Sequence, residues 1–276
     1  MNYDLLTLVE STKKIALDAG KVILAYFKEG DFEQFDKSDQ SPVTSADYAA
    51  NDIVIAALKS LTPDIPIISE ESDGLNLSER QAWPCYWLID PLDGTQEFVA
   101  GRPDFAVNIA LIHNNHPVLG VIHAPVTGEI YFATKGNGAF KEAKGQSTRL
   151  LANRIDPQKL YLKVALSRVQ RLESITKYVK PSISLEFISL GSCALKSCLV
   201  AEGKADIYIR VGPTGEWDTG APQVIVEEAG GAIIASDFDA LTYNQRESFL
   251  NPDFMVVSDK MMDWKTVIIP HNSRRD

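Results

Sequence analysis

Hydrophobic residues recur at helical spacing in two stretches near the beginning of the chain. Residues 4–28 (DLLTLVESTKKIALDAGKVILAYFK) place apolar side chains every three or four positions, which predicts a long amphipathic helix. Thr44 and Ser45 can cap a second helix that runs to about Leu61, because Pro63 lies just beyond it. The pattern therefore predicts a helical beginning.

Short apolar runs separated by turn residues follow these helices. PIIS (66–69) and WLID (87–90) are typical of strands, and both end at acidic residues. FAVNIALI, VLGVIHA and IYFAT then alternate with the turn signals NNHP and TGE, which predicts an antiparallel meander. His113 and His116 flank the first of these turns, so we interpret them as exposed turn residues rather than a metal-binding pair.

After about residue 145 the pattern changes to strands that alternate with helices. LKVALS, LEFISL, DIYIRV and AIIAS predict strands, and DTGAPQVIVEEAG predicts a helix. We therefore expect an N-terminal α+β subdomain at 1–145, with an antiparallel sheet and the metal-site motifs, and a C-terminal α/β subdomain at 146–276 that recognises the substrate. A junction of this kind is a common place for a small-molecule site.

Composition narrows the class of protein. The chain of 276 residues is 45% apolar and 23% charged, a balance typical of globular domains. Its formal net charge of −10 argues against a nucleic-acid polymer as partner, but carboxylates can bind cations that attract phosphate. No apolar run is long enough for a membrane span, and the acidic first residues do not predict an export signal.

Three scattered cysteines do not suggest a disulfide framework. They are Cys85, Cys193 and Cys198. We expect a cytoplasmic protein, monomer or homodimer, and leave open peripheral attachment to the cytoplasmic face of the inner membrane.

The most informative segment is WLIDPLDGT (87–95). An apolar strand ends there in Asp90, and Pro91 fixes the backbone and is expected to stop the sheet ladder. Asp90 and Asp93 lie three residues apart around a rigid turn, so their carboxylates can face one cation or bridge two. Magnesium prefers hard oxygen ligands of this kind.

The backbone of the same turn offers further groups. The Leu92 carbonyl can serve as another oxygen ligand, and Gly94 permits close approach of the backbone to a ligand. If a helix starts near Thr95, its free N–H groups suit a phosphate. A strand-to-turn connection with solvated, capping aspartates explains an isolated D-x-x-D-G-T about as well.

Other carboxylates also stand at the ends of predicted elements. Glu70 and Glu71 follow an apolar strand, where such a pair is usually surface charge. Asp47 sits in the first turn of a helix, which the helix dipole alone explains, and Asp218 can be only an N-cap. Their recurrence at four places in one chain favours a cation site.

The aspartate-nucleophile phosphatases of the haloacid dehalogenase type present a competing hypothesis. They use D-x-D-G-T after a strand, whereas this chain has PLDGT. Pro91 occupies the nucleophile position and Asp90 comes one residue too early, so a covalent aspartyl-phosphate route lacks its nucleophile.

Four segments together resemble the inositol monophosphatase superfamily. They are SPVTSAD (41–47), ISEES (68–72), WLIDPLDGT (87–95) and EWDTGAPQVIVEEAGG (216–231), in family order. The resemblance implies a layered α+β or α/β fold, an αβαβα sandwich of the inositol monophosphatase and fructose-1,6-bisphosphatase type. It also implies an enzyme that uses two or three Mg²⁺ ions and a metal-activated water.

The resemblance also assigns roles to individual residues. The implied metal ligands are Glu70, Asp90, the Leu92 carbonyl, Asp93 and Asp218. The implied substrate contacts are Leu92, Asp93, Gly94, Thr95, Ser192, Lys196 and Asp218. Thr95 and Glu70, with Asp47 as a further candidate, would orient the attacking water and take its proton, and the Gly94 and Thr95 amides would bind phosphate oxygens.

Within the superfamily, GSCALKSCLVAEGKADIYIRVGPT (191–214) and RESFLNPDF (246–254) resemble 3′(2′),5′-bisphosphate nucleotidases of the CysQ type. Inositol phosphatases usually carry an acidic residue seven positions before the Trp-Asp aspartate, and here that position is Val211. Lys196 and Ser192 would bind the phosphate that is not cleaved. Without the resemblance, Lys196 is better interpreted as a solvated lysine on a helix face.

The predicted substrate is a small phosphorylated nucleotide. The hypothesis is removal of the 3′-phosphate of adenosine 3′,5′-bisphosphate to give AMP, as part of sulfate assimilation and nucleotide housekeeping. The alternative enzyme is an inositol monophosphatase or another small sugar phosphatase. The alternative from another class is a metal-dependent binding protein that kept the fold, which the complete ligand set disfavours.

Overall fold

The computed structural model describes residues 3–36, 42–72, 75–156, 158 and 161–269. Its helices are α1 (Leu5–Glu29), α2 (Ser45–Leu61), α3 (Leu77–Arg80), α4 (Thr95–Val99), α5 (Glu173–Thr176), α6 (Cys193–Ala201) and α7 (Trp217–Ala229), with a 3₁₀ turn at Trp264–Thr266. Its strands are β1 (Gln34–Asp36), β2 (Pro42–Thr44), β3 (Ile67–Ser69), β4 (Cys85–Asp93), β5 (Ala106–His113), β6 (His116–Ala124), β7 (Glu129–Thr134), β8 (Ala139–Ala143), β9 (Gln146–Arg149), β10 (Tyr161–Leu166), β11 (Ser184–Ser189), β12 (Ile207–Arg210), β13 (Ala232–Ala235) and β14 (Phe254–Val257).

Local capping explains where the two predicted N-terminal helices begin and end. The Asp4 carboxylate accepts the N–H groups of Leu6 and Thr7 at the start of α1, and Gly30 ends that helix in the left-handed region at φ 69°. At α2, Thr44 and Asp47 form a capping box. Both predicted helices are confirmed within about one residue.

The first sheet has seven strands in the order β3-β4-β5-β6-β7-β8-β9. β3 and β4 are parallel, and all later neighbours are antiparallel, so the predicted meander is confirmed. Asn114 and Asn115 form the tight turn between β5 and β6, both with positive φ. The prediction that His113 and His116 are exposed turn residues is wrong, because they are the last residue of β5 and the first of β6 and both are half-buried. The Nε2 atom of His116 lies 3.2 Å from Oε2 of Glu227.

The second sheet has five strands in the order β11-β10-β12-β14-β13. β10, β11 and β12 are parallel, and β14 is antiparallel to its neighbours β12 and β13. All four strands predicted in this half are present.

Apart from the short antiparallel pair of β1 and β2, the two large sheets and three sets of helices form five layers. Trp87 and Ile89 of β4 face α1 and α2, whereas Tyr86 and Leu88 face α6 and α7, which lie between the sheets. The outer face of the second sheet packs through Val164 against α5 and the 3₁₀ turn. The predicted αβαβα sandwich is confirmed.

One local prediction is wrong. Pro91 does not end the ladder, because β4 continues to Asp93 and pairs again with β5 there. The pairing register shifts between Asp90 and Asp93, so the strand carries a bulge at this point. The bulge accommodates the residue that lacks an N–H and keeps both aspartates on one ordered strand.

The two large sheets use separate parts of the chain. β9 pairs with β8 and ends at Arg149, whereas the second sheet begins at Tyr161. Helix α7 packs on β5 and β6 of the first sheet as well as on α6. Two subdomains at 1–145 and 146–276 stay a prediction.

Among the described residues, no helix combines the length and the apolar character that a membrane span requires.

Gly120 tests how tightly α7 is set against the first sheet. A Cβ at this position would lie 2.6 Å from the carbonyl oxygen of Ala221, which is backbone and cannot swing aside. We expect Gly120→Ala to lower the free energy of unfolding by about 1–3 kcal/mol and to reduce activity by moving α7. Thr148→Ala on exposed β9 is the control, expected within about 0.5 kcal/mol of wild type in urea unfolding. Equal stability of the two variants would contradict the close contact.

Candidate active site

Three aspartates from different parts of the chain meet at one point. Asp90 and Asp93 come from the end of β4, and Asp218 comes from the first turn of α7. Each offers a carboxylate oxygen within 4.8 Å of the others. Glu70, at the end of neighbouring β3, lies close enough to repel the charges of Asp90 and Asp218.

The cluster is unfavourable as a set of bare anions. Burial, and then the charges of Glu70 and Asp93, raise the pKa of Asp90 well above its usual value. Burial and the same neighbours also raise the pKa of Asp218. The Oδ2 atom of Asp90 is buried, and no described residue donates a hydrogen bond to it. Buried, converging carboxylate oxygens fit a divalent cation such as Mg²⁺.

Asp93 joins this cluster to helix α6. Its carboxylate accepts hydrogen bonds from the Ser192 hydroxyl and from the backbone N–H groups of Cys193 and Ala194. The positive end of the helix dipole therefore stabilises this anion. Ser192 also caps α6 by accepting the N–H of Leu195 at 3.0 Å.

Thr95 and Asp47 form a second polar pair at the same place. The Thr95 hydroxyl lies 3.0 Å from Asp47 Oδ1 and 3.1 Å from the Leu92 carbonyl oxygen, so it can donate to either. Asp47 Oδ2 accepts the N–H and the hydroxyl of Thr44 at 2.8 and 2.6 Å. Asp47 thus caps α2 with one oxygen and holds Thr95 with the other, so both interpretations of this residue are compatible.

Gly94 allows the tight turn between Asp93 and Thr95. Its φ of +98° is in the region that favours glycine, and a Cβ there would lie 2.9 Å from the Asp104 carbonyl oxygen. Helix α4 then begins at Thr95, as predicted, but it is only five residues long.

A cavity of about 330 Å³ opens beside the acid cluster. Its lining includes Glu70, Asp93, Gly94, Thr95, Ser192, Lys196, Tyr208, Arg210 and Asp218. Seven sequence-predicted site residues therefore meet at this one cavity. The roles of these residues as ligands, base or substrate contacts stay predictions.

Lys196 is not the solvated lysine that its sequence alone favoured. Its side chain is buried, and its ammonium group donates to the carbonyl oxygens of Leu190, Gly191 and Ser192. Burial lowers the pKa of Lys196. The structure places this cation at the cavity, where it can favour an anionic group.

The Ser192 hydroxyl makes a hydrogen bond within the protein, whereas the expected contact was with a phosphate of the substrate. Its hydroxyl proton goes to Asp93, so Ser192 orients a carboxylate, and its contact with a phosphate stays a prediction. Lys37, which precedes the SPVTSAD segment in the sequence, lies outside the described residues.

Sequence reasoning missed a charged cluster on the other side of the cavity. The Arg168 guanidinium binds the carboxylates of Glu97 and Asp104, and Asp104 also accepts the N–H of Gly191. These contacts connect the segment after β10 to the turn before α6. The position of Arg168 just after a predicted strand was the available signal. Nothing in the sequence indicated its two acidic partners.

Comparison with protein families gives one match over almost the whole chain. The model described as "Inositol monophosphatase family" matches residues 4–263.

Curated relatives and solved structures extend this match. The 3′(2′),5′-bisphosphate nucleotidase CysQ of Aggregatibacter actinomycetemcomitans is 40% identical over 260 residues, 94% of this chain and 96% of the relative. The protein of the same name from Salmonella typhimurium is 42% identical over 250 residues, 90% and 99% of the two chains. The crystal structure of CysQ from Bacteroides thetaiotaomicron superposes with a TM-score of 0.76 at 36% identity, covering 92% of this chain and 98% of that one.

The raised pKa values predict how the metal-free protein responds to pH. Asp90 and Asp218 bind protons more tightly in the folded chain than in the unfolded chain, so stability should rise as the pH falls from about 8 to about 5. Glu216, whose pKa burial raises to about 7, adds a slope of the same sign.

The measurement is the melting temperature in excess chelator across this pH range. Asp218→Asn keeps Glu216 but removes one charge of the cluster, so its slope should be flatter than that of wild type. Equal slopes, or a wild-type protein that loses stability on mild acidification, would contradict the repulsion inferred here.

Proposed function

This chain belongs to the inositol monophosphatase family, and from that membership we propose that it is a magnesium-dependent 3′(2′),5′-bisphosphate nucleotidase. The substrate is adenosine 3′,5′-bisphosphate, from which the enzyme removes the 3′-phosphate to leave AMP. The observation that carries the proposal is the acid cluster of Asp90, Asp93 and Asp218 beside a cavity that also holds a buried lysine. The relatives at 40–42% identity carry this activity in their names.

The metal would be held by carboxylates and one carbonyl. The ligands are Glu70, Asp90, Asp93, Asp218 and the Leu92 carbonyl oxygen. When bound, divalent cations there would neutralise charge on the phosphoryl oxygens and lower the pKa of a water molecule. The buried Oδ2 of Asp90, which no donor among the described residues satisfies, fits this use.

The Asp47–Thr95 pair supplies the route for a proton. Thr95 donates its hydroxyl proton to Asp47 Oδ1, so its oxygen lone pairs can accept a hydrogen bond from the attacking water. As the water oxygen bonds to phosphorus, its proton passes to Thr95 while the Thr95 proton passes to Asp47. The bond between phosphorus and the 3′-oxygen breaks, and that oxygen leaves as the alcohol after taking a proton from a solvent water molecule, while Asp47 returns its proton to solvent. Glu70 is the other candidate to accept the proton of the attacking water.

Backbone amides of the turn orient the phosphate that is cleaved. Gly94 and Thr95 line the cavity directly after Asp93, and the absence of a Cβ at Gly94 lets the backbone approach the substrate. These donors are fixed before the reaction, since β4 and α4 hold both ends of the turn.

Lys196 would let the enzyme discriminate a bisphosphate substrate from a monophosphate. Its ammonium group lies on α6, the same helix whose N-terminus binds Asp93. A second phosphate in the cavity would lie near this positive charge while the first is near the acid cluster, and a direct hydrogen bond would replace one of the three carbonyl contacts of the ammonium group. The position of Val211, which offers no acceptor to a sugar hydroxyl, supports a nucleotide over inositol.

A nucleotidase of this kind belongs to sulfate assimilation in the cytoplasm. We propose the cytoplasm as the location of this protein. Peripheral attachment to the cytoplasmic face of the inner membrane, and a monomeric or dimeric state, are separate points for experiment.

The substrate assignment predicts a clear preference. Phosphate release with Mg²⁺ should be much faster from adenosine 3′,5′-bisphosphate than from inositol 1-phosphate at equal concentration. The measurement is kcat/KM for both esters on one enzyme preparation, with excess chelator as the control that abolishes both rates. A preference for the inositol ester would replace the proposal with the sugar phosphatase alternative.

The role of Lys196 predicts a substrate-dependent loss. Lys196→Met should raise KM for adenosine 3′,5′-bisphosphate about 10–100-fold, the loss of one charge-assisted hydrogen bond, and change KM for adenosine 3′-monophosphate much less. Lys204→Met is the matched control, because Lys204 follows the same helix but pairs with Glu202 away from the cavity. An equal loss for both substrates would assign Lys196 a structural role only.

A further inference from the structure

One polar side chain interrupts the apolar face of β5. The side of this strand that faces α6 and α7 consists of Ala106, Asn108, Ala110 and Ile112. Asn108 is only 1% exposed, so its amide lies in the core between the first sheet and the helices. An apolar residue would serve packing at this position without the cost of burying an amide.

Asn108 lies opposite a ligand of the acid cluster. In the antiparallel pair of β4 and β5, Asp90 and Asn108 are register partners. Side chains of such partners point to the same face of the sheet, with Cβ atoms about 4.5–5.5 Å apart. On the other side of β5, the register partner of Asn108 is the apolar Ile122. Of the two cross-strand neighbours of Asn108, Asp90 is therefore the polar one.

Both members of this pair have unused hydrogen-bonding capacity. In the part of the chain that the structure describes, neither Oδ1 nor Nδ2 of Asn108 has a partner, and both atoms are buried. Oδ2 of Asp90 is also buried and has no donor within that part, whereas its Oδ1 accepts the N–H of Leu92 at 3.0 Å. A donor and an acceptor that are each unsatisfied thus occupy opposite positions on adjacent strands.

We propose that Asn108 is a positioning residue for the metal site: the two side chains are not hydrogen-bonded in this structure, and the amide N–H turns to donate to Oδ2 of Asp90 when a cation binds there. A carboxylate oxygen has more than one lone pair, so Oδ2 can accept this hydrogen bond and still bind a cation. With Leu92 N–H on one oxygen and Asn108 on the other, the carboxylate is fixed at both ends. The inference depends on the proposed function only for the presence of a divalent cation.

The chemistry of the amide suits this task. A lysine or arginine beside Asp90 would neutralise the carboxylate and compete with the cation, whereas an asparagine is neutral. Hydrogen bonds to the outer side of a metal ligand orient it, and their loss typically weakens metal affinity 10–100-fold. Asn108 contacts neither substrate nor water in this account and acts only through Asp90.

The test uses Mg²⁺ alone as the probe and thermal melting as the readout. Asn108→Leu replaces the amide with a side chain that has the same number of heavy atoms and the same branching. In excess chelator this variant should melt at the wild-type temperature or higher, because two unsatisfied polar atoms leave the core. The Mg²⁺ concentration that gives half of the stabilising shift should rise about 10–100-fold. Asn108→Ala should raise that midpoint similarly, whatever it does to the melting temperature without metal.

Tyr86→Phe is the matched control. The Tyr86 hydroxyl is also buried without a partner and faces the same helices, but it lies four residues along β4 from Asp90, about 13 Å away. Its register partner is the apolar Ile112. Removal of this hydroxyl should leave the Mg²⁺ midpoint and the activity unchanged.

The outcomes separate the inference from the proposed function. A normal wild-type titration with an unchanged midpoint in both Asn108 variants would overturn the positioning role alone. A shift of equal size in Tyr86→Phe would also overturn it, since any change in the core would then affect the metal. A wild-type protein that Mg²⁺ does not stabilise would count against both the magnesium assignment and the role of Asn108.

Discussion

Mutual repulsion among buried carboxylates is the constraint on which the site depends. Asp90, Asp93 and Asp218 bring like charges within 4.8 Å of one another, and burial raises the pKa of Asp90 and of Asp218. The fold holds them there because they stand on a central strand and on a helix that packs tightly against the sheet. This arrangement is electrostatically unfavourable, and a bound divalent cation would reduce the repulsion. The geometry that destabilises the metal-free protein therefore also favours the binding of a cation.

Helix α6 connects this charged centre to the cavity. Its N-terminus binds the Asp93 carboxylate, its capping residue Ser192 does the same, and Lys196 one turn further on reaches the cavity. The turn before the helix is held from the other side by Asp104. One short helix therefore sets both the orientation of Asp93, a proposed metal ligand, and the position of a cation suited to the second phosphate of the proposed substrate. In the proposed function, metal binding and substrate recognition are coupled through this shared backbone.

Most elements of the fold could be predicted because their signals are local. Apolar spacing gave α1 and α2, and strand-and-turn alternation gave the meander and the second sheet. The bulge at Pro91 could not be predicted, since it depends on how β5 pairs with both sides of that residue. The buried state of Lys196 was missed for a similar reason: a lysine on a helix face is solvated unless another layer covers that face.

The sequence by itself determined which residues carry charge at the ends of elements, and its motifs were sufficient to indicate the acid set and the family. Only the tertiary structure decided which of these charges meet. It paired Asp47 with Thr95, joined Asp93 to the start of α6, and set Asn108 opposite Asp90. Such pairings join residues up to about a hundred positions apart in the chain. They follow from strand register and layer packing. These are properties of the whole fold, so no short segment of sequence indicates them.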